Sequence, residues 1–208
     1  MTRWTAKMGS HDISITGDRL DAFRKMYVAD GDLSSRMSDM LWFDMYVLDV
    51  EFGINPREVL VSIENLEAGE PSSGIKPATQ FRKLPLKGLW HKHYFAARFL
   101  AHNLILGLGN NGLEKLINEV MDPAKSDVVT REMVEELAYR VSHEPFEERH
   151  RQGKMTGEWI VFAKHNSKNF YLCLTTHETG DQPVFERIMQ HCIRDFPDLA
   201  AWIAQAQS

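Results

Sequence analysis

Six side chains in this sequence have the types needed to cleave a phosphodiester: His91, Arg98 and His102 in one segment, and Lys164, Tyr171 and His177 in another. Such a reaction needs a base for the attacking hydroxyl, an acid for the leaving oxygen, and cations to hold phosphate charge as it builds up in the transition state. Histidine exchanges protons near neutral pH, while Arg98 and Lys164 can neutralise phosphate oxygens. Tyr171 offers a ring on which a base can stack or a hydroxyl that can orient a phosphate. If the segment from Trp90 to Leu106 is a helix, His91, Arg98 and His102 fall on one narrow stripe, because each residue advances about 100°. His93 then points nearly the opposite way, and a His-x-His metal pair would require this piece to be a strand.

The first of these segments lies in an unusual stretch. Acids outnumber Lys plus Arg by 29 to 24 overall, yet the 43 residues from Pro71 to Leu113 contain no Asp or Glu. This island holds Lys76, Arg82, Lys83, Lys87, Lys92 and Arg98, so it predicts a positive local surface on a net acidic protein. Lys83, Lys87, Lys92 and the aromatic Trp90 are the candidate binding residues for an acidic partner. RNA is the candidate partner, since counterion release rewards even a local basic patch.

Other chemistries find less support. Gly107-Leu-Gly-Asn-Asn-Gly112 lacks the spacing and the Lys-Ser/Thr ending of a phosphate loop and reads as a helix stop and turn. His143, Glu147 and His150 match no specific metal signature, and Pro145 interrupts them, so no metal ligand is assigned. No Gly-x-Ser-x-Gly elbow occurs. Cys173 and Cys192 read as buried small hydrophobes. No apolar run reaches the roughly 18 to 20 residues that cross a bilayer, and no secretory signal order is present, which points to the cytoplasm.

The elements that must position these residues divide the chain. Residues 12–70 read as a helical module. Arg19 to Ala29 has amphipathic spacing, Leu33 to Glu51 is apolar all round and belongs at the centre of its module, and Gly53 stops it. Asn55-Pro56 is a cap followed by proline at the first helical position, opening a helix with Val59, Leu60, Ile63 and Leu66. Residues 71–82 have linker composition, and 83–208 form the α+β part. There, helices are expected at Trp90–Leu106, Gly112–Met121 and Thr130–Val141, the last extended by Ser142–Gln152 after a break at Pro145. Glu158–His165 and Phe170–His177 are strands of a hairpin across Asn166-Ser-Lys-Asn169, followed by two terminal helices. A symmetric turn puts Trp159, Val161, Ala163, Phe170, Leu172 and Leu174 on one face; Lys164, Tyr171, Thr175 and His177 share the other. Two strands do not make a stable sheet, so further strands are expected between Gln80 and Leu89 or near Val128. The first eleven residues read as irregular. The fold class is α+β, mostly helical, with a small antiparallel sheet in the carboxy-terminal part.

This order of residue types, a segment with His and Arg followed by a hairpin bearing Lys164, Tyr171 and His177, resembles the barnase, EndoU, colicin and RelE-like group of small RNases. That group is associated with bacterial toxins and phage-encoded nucleases. The resemblance spans about Lys83 to Leu199. It implies metal-independent, cofactor-free RNA cleavage, with acid/base and phosphate-holding roles at His91 or His102, Arg98, Lys164 and His177. The helical module would then serve a protein partner or inhibitor. A different reading is a non-catalytic interaction protein that binds an acidic partner through residues 76–102. A third is a metal-dependent hydrolase centred on His91, His93, His143 and His150.

Overall fold

A computed structural model describes residues 3–29, 31–70, 76–94, 105, 107–122, 124, 126, 128–151, 158–176 and 179–207, with backbone alone at 3, 146 and 149–151. The elements in chain order begin with strands β1 (Arg3–Met8) and β2 (His11–Thr16), then helices α1 (Gly17–Tyr27), α2 (Asp32–Ser35), α3 (Asp39–Phe52) and α4 (Pro56–Glu67). Strands β3 (Thr79–Gln80) and β4 (Trp90–His93) precede helices α5 (Gly112–Val120), α6 (Arg131–Ser142) and α7 (Glu144–Arg151). Strands β5 (Trp159–His165) and β6 (Lys168–Thr175) are followed by helices α8 (Asp181–His191) and α9 (Leu199–Gln207). The fold class is α+β, as the sequence indicates. The chain forms two compact units, one of Met1–Ser72, Pro77–Tyr94 and Glu158–Ser208 and the other of Ser73–Lys76 and Phe95–Gly157. Residues 12–70 therefore share a unit with β3 to β6. Among the described residues no helix is long and apolar enough to cross a membrane.

In the first unit, β3-β4-β5-β6 form an antiparallel sheet in that order. The β5–β6 turn uses Asn166 at φ 48° and Ser167 at φ 61°, the left-handed pair of a tight hairpin whose twist matches its strands. Pairing is regular from His165↔Lys168 to Phe162↔Tyr171, then slips by one residue to Val161↔Cys173. Leu172 is the extra residue of this bulge. Its carbonyl accepts from Ser38 Oγ at 2.5 Å and Cys192 Sγ at 3.4 Å, so two side chains from elsewhere in the unit satisfy the oxygen the ladder leaves unpaired.

Helix α3 has the central position its all-round apolar sequence requires. Met40, Leu41, Trp42, Phe43 and Met45 are buried, Ser38 caps its start by accepting from Leu41 N at 3.0 Å, and Gly53 ends it at φ 63°. The single helix expected from Leu33 to Glu51 is two, because the link through Met37 leaves the helical path and runs along the edge of β6. Tyr171 N donates to Arg36 O at 2.8 Å and Ser38 N to Tyr171 O at 3.0 Å, which covers an edge that would otherwise be open. Helix α4 starts as expected, Asn55 Oδ1 accepting from Arg57 N at 2.9 Å.

Two expectations for this unit need correction. The first residues are not irregular: β1 and β2 pair across Gly9-Ser10, and the alternation that buries Ile13 and Ile15 was present in the sequence. The piece from Trp90 is a strand as far as His93, paired with β5 on one side and β3 on the other. Four residues cannot distinguish the two periods, and the strongly β-forming β5 captures them as a ladder partner.

The second unit contains α5, α6 and α7. Thr130 caps α6, accepting from Met133 N at 3.3 Å as its sequence position predicts. Gly109 and Asn111 take positive φ in the turn before α5, consistent with a terminator there. Val128 is exposed, and among the described residues around it none is in a strand. Arg140 reaches Glu119 at 2.9 Å and Glu144 at 3.2 Å, tying the three helices together beside an open groove of about 680 Å³.

Candidate functional site

As a strand, β4 sends alternate side chains to opposite faces of the sheet. His91 and His93 lie on one face with Trp159, Val161, Cys173 and Thr175; Trp90 and Lys92 lie on the other with Ile160, Phe162, Lys164 and Tyr171. The bulge at Leu172 is what transfers Cys173 and Thr175 to the histidine face and Leu174 to the opposite one. The sequence-based hairpin faces hold only up to Tyr171.

The histidine face carries a compact aromatic and imidazole cluster. The His91 and His93 rings are 5.7 Å apart, and Trp159 lies 4.8 Å from His91. Phe81, just beyond β3, packs 4.5 Å from the His91 ring and edge-on to Trp159 at 5.5 Å. His91 Nε2 is 3.0 Å from Thr79 Oγ1, its partner across the β3–β4 ladder. The Trp159 indole N–H donates to His93 Nε2 at 3.2 Å. Indole nitrogen can only donate, so His93 Nε2 carries no proton in this arrangement and the ring proton sits on Nδ1. His93 is buried, whereas His91, Phe81 and Trp159 are half-buried and present part of their surface outward. Arranged in this way, the half-buried His91 ring has its Nε2 held by the Thr79 hydroxyl and its Nδ1 buried, and His93 holds the Trp159 ring.

The six proposed catalytic residues do not form one cluster. Arg98, His102 and His177 lie outside the described residues. The stripe of His91, Arg98 and His102 assumed a helix at His91, which is in β4. Lys164 and Tyr171 share a face, but it is the face opposite His91. Lys164 is exposed, its Nζ 3.8 Å from the centre of the Trp90 ring. Tyr171 is fully buried and unavailable to a substrate: its hydroxyl donates to Glu67 Oε1 at 2.6 Å, and burial together with that carboxylate pushes its pKa far above the ordinary value.

The four candidate binding residues also separate. Lys83 is exposed. Lys87 Nζ donates to Gln207 O and so caps the carboxy-terminal end of α9. Lys92 is buried, and burial pulls its ammonium below the usual range. Trp90 lies beneath Lys164. For the metal reading, His91 and His93 do share a strand face, but His143 bonds Ser142 Oγ at 2.7 Å and stacks on Tyr139, and the side chain of His150 is outside the described set. Among the described residues no group of three or more His, Cys, Asp or Glu is arranged to hold a metal ion.

Sequence reasoning did not identify Thr79, Phe81 and Trp159 as neighbours of His91. The available signal was His-x-His at period two next to aromatic residues, which becomes informative once β4 is known to be a strand. It also missed a charge network behind the sheet. Arg36 donates to Glu67 at 2.5 Å, Asp32 at 3.1 Å and the Asn169 carbonyl at 2.6 Å, while Asn169 and Tyr171 also donate to Glu67. This network fixes α2 and α4 to β6.

No protein-family model, curated protein or solved structure matches this chain.

Proposed function

We propose that the protein is an RNase-like enzyme that cleaves RNA by transesterification, with His91 as the general base on the sheet face. The observation that carries this reading is the half-buried His91 imidazole, fixed by Thr79 and flanked by the partly exposed rings of Phe81 and Trp159. His91 takes the proton from a 2′-hydroxyl, the 2′-oxygen bonds to phosphorus, and the bond from phosphorus to the 5′-oxygen breaks. The proton for that leaving oxygen comes from a second acid, for which the candidate is His177, one of the residues to which the RNase resemblance gives acid/base and phosphate-holding roles. His93 acts through Trp159 as a positioning residue. A base splayed from its stack fits the ring set, as single-stranded RNA recognition commonly requires.

The test is degradation of a single-stranded RNA in excess chelator. His91→Gln keeps a hydrogen-bonding side chain beside Thr79 and should lower turnover by about 10²-fold or more while the far-ultraviolet spectrum stays unchanged. Turnover at the parental rate in this variant would overturn the assignment. A second reading, a non-catalytic interaction protein, is favoured by Ile117, Val134 and Tyr139, which are exposed on the second unit. It would show no turnover with any RNA.

A further inference from the structure

The loop between β3 and β4 is held at every point except its tip. Phe81 N donates to Leu89 O at 2.9 Å and Gly88 N to Phe81 O at 3.3 Å, so the hairpin ladder continues beyond the two strands. Leu86 and Leu89 are buried, Gln207 Nε2 donates to Pro85 O at 3.1 Å, and Lys87 is bound to the end of α9. Gly88, at φ +95°, lies so close to α9 that a Cβ there would be 2.9 Å from the Ala206 Cβ. What remains free is Arg82-Lys83-Leu84, all exposed.

The two cations at this tip differ from most arginines of the same unit. Arg24, Arg36, Arg57, Arg187 and Arg194 each hold a carboxylate within 3 Å. Among the described residues, Arg82 and Lys83 form no ion pair and no hydrogen bond, in keeping with a stretch that contains no acid. They directly follow Phe81, whose ring packs against His91. A fixed loop bearing two uncompensated cations next to the Phe81–His91 ring pair has the features of a phosphate grip, because the cost of ordering it is met on folding and not on binding.

We infer that the Arg82–Lys83 tip binds the backbone phosphates of single-stranded RNA flanking the bond presented to His91. This rests on the RNase reading for its choice of polyanion. The substrate is accordingly a strand several nucleotides long, held by its backbone at the loop and by a splayed base at Phe81 and Trp159.

The probe is a fluorescent single-stranded oligodeoxynucleotide, which lacks the 2′-hydroxyl and cannot be cleaved, titrated with the full-length protein at a series of salt concentrations. Each phosphate contact on a single strand contributes about 0.7 to the slope of log K against log salt, so Arg82→Ala/Lys83→Ala should flatten that slope by about 1.4. The same amount of charge removed elsewhere, as Lys7→Ala/Lys25→Ala, should leave the slope nearly unchanged. Equal effects of the two double variants, or none, would overturn the loop assignment whether or not the protein cleaves RNA. A loop-specific loss of binding in a protein that turns over no RNA would keep the phosphate grip and sink the enzymatic reading.

Discussion

Replacing Arg36 by Met should destabilise the first unit by about 3 kcal/mol. The Met side chain retains the aliphatic bulk of a residue whose side chain is only 8% exposed, but it removes three hydrogen bonds, to Glu67, Asp32 and the Asn169 carbonyl. Breaking a buried pair commonly costs about 3 to 5 kcal/mol because the remaining charge is stranded. The lower end applies here. Glu67 is 25% exposed and keeps Tyr171 and Asn169 as donors, and the well-exposed Asp32 keeps Lys168. Urea titration followed by circular dichroism measures the loss, and a thermal scan should show Tm falling by about 6 to 12 °C. The pH dependence checks the cause. Burial alone would raise the Glu67 carboxyl, but hydrogen bonds from Arg36, Tyr171 and Asn169 outweigh it and hold the group below its usual 4.5. A carboxyl with a depressed folded pKa stabilises fully above its unfolded pKa, and that contribution is lost as pH falls through the folded value. The stability gap between parent and Arg36→Met should therefore be widest near neutrality and narrow below about pH 4.5. A gap under about 1 kcal/mol at pH 7, or one that widens on acidification, would refute a charge network as the element joining α2 and α4 to β6.

Two further outcomes follow from the hairpin and the core. Ser167 occupies the second left-handed position of the β5–β6 turn, so Ser167→Gly creates the preferred Asn-Gly pair and should raise stability by about 0.5 to 1 kcal/mol; a lower Tm would contradict the turn geometry. Cys173 and Cys192 are fully buried, and burial raises the Cys173 thiol well above its ordinary range and pushes Cys192 up to about 12. Iodoacetamide at pH 8 should consequently label neither in the folded protein and both in denaturant, whereas stoichiometric native labelling would show that these thiols are open to solvent.

Local chemistry made much of the helical framework and one hairpin legible. The Asn55-Pro56 start of α4, the Gly53 stop of α3, the Thr130 cap of α6 and a turn within Asn166-Ser-Lys-Asn169, which the structure narrows to Asn166-Ser167, each depend on groups within a few residues of one another, so composition at those points is enough. The all-round apolar character of α3 likewise required a central position wherever its neighbours came from. The charge pattern isolated the 71–113 stretch, of which Lys83 is exposed. It did not reveal that Lys87 caps a helix at the far end of the chain or that Lys92 is buried.

Those assignments, and the composition of the site, were decided by contacts between distant segments. Trp90–His93 becomes a strand because β5, some seventy residues later, pairs with it, and that pairing turns His91 and His93 to the same side. The bulge at Leu172 forms where Ser38 and Cys192 meet its carbonyl, and its one-residue slip moves Thr175 to the histidine face. Tyr171 has the sequence character of a site residue, yet Glu67, on a helix more than a hundred positions earlier, holds its hydroxyl inside the unit. The sequence by itself determined which residues are able to carry charge and protons and where caps and turns begin or end elements. Only the tertiary structure decided which of them face one another, because strand pairing and burial are properties of segments brought together from far apart in the chain.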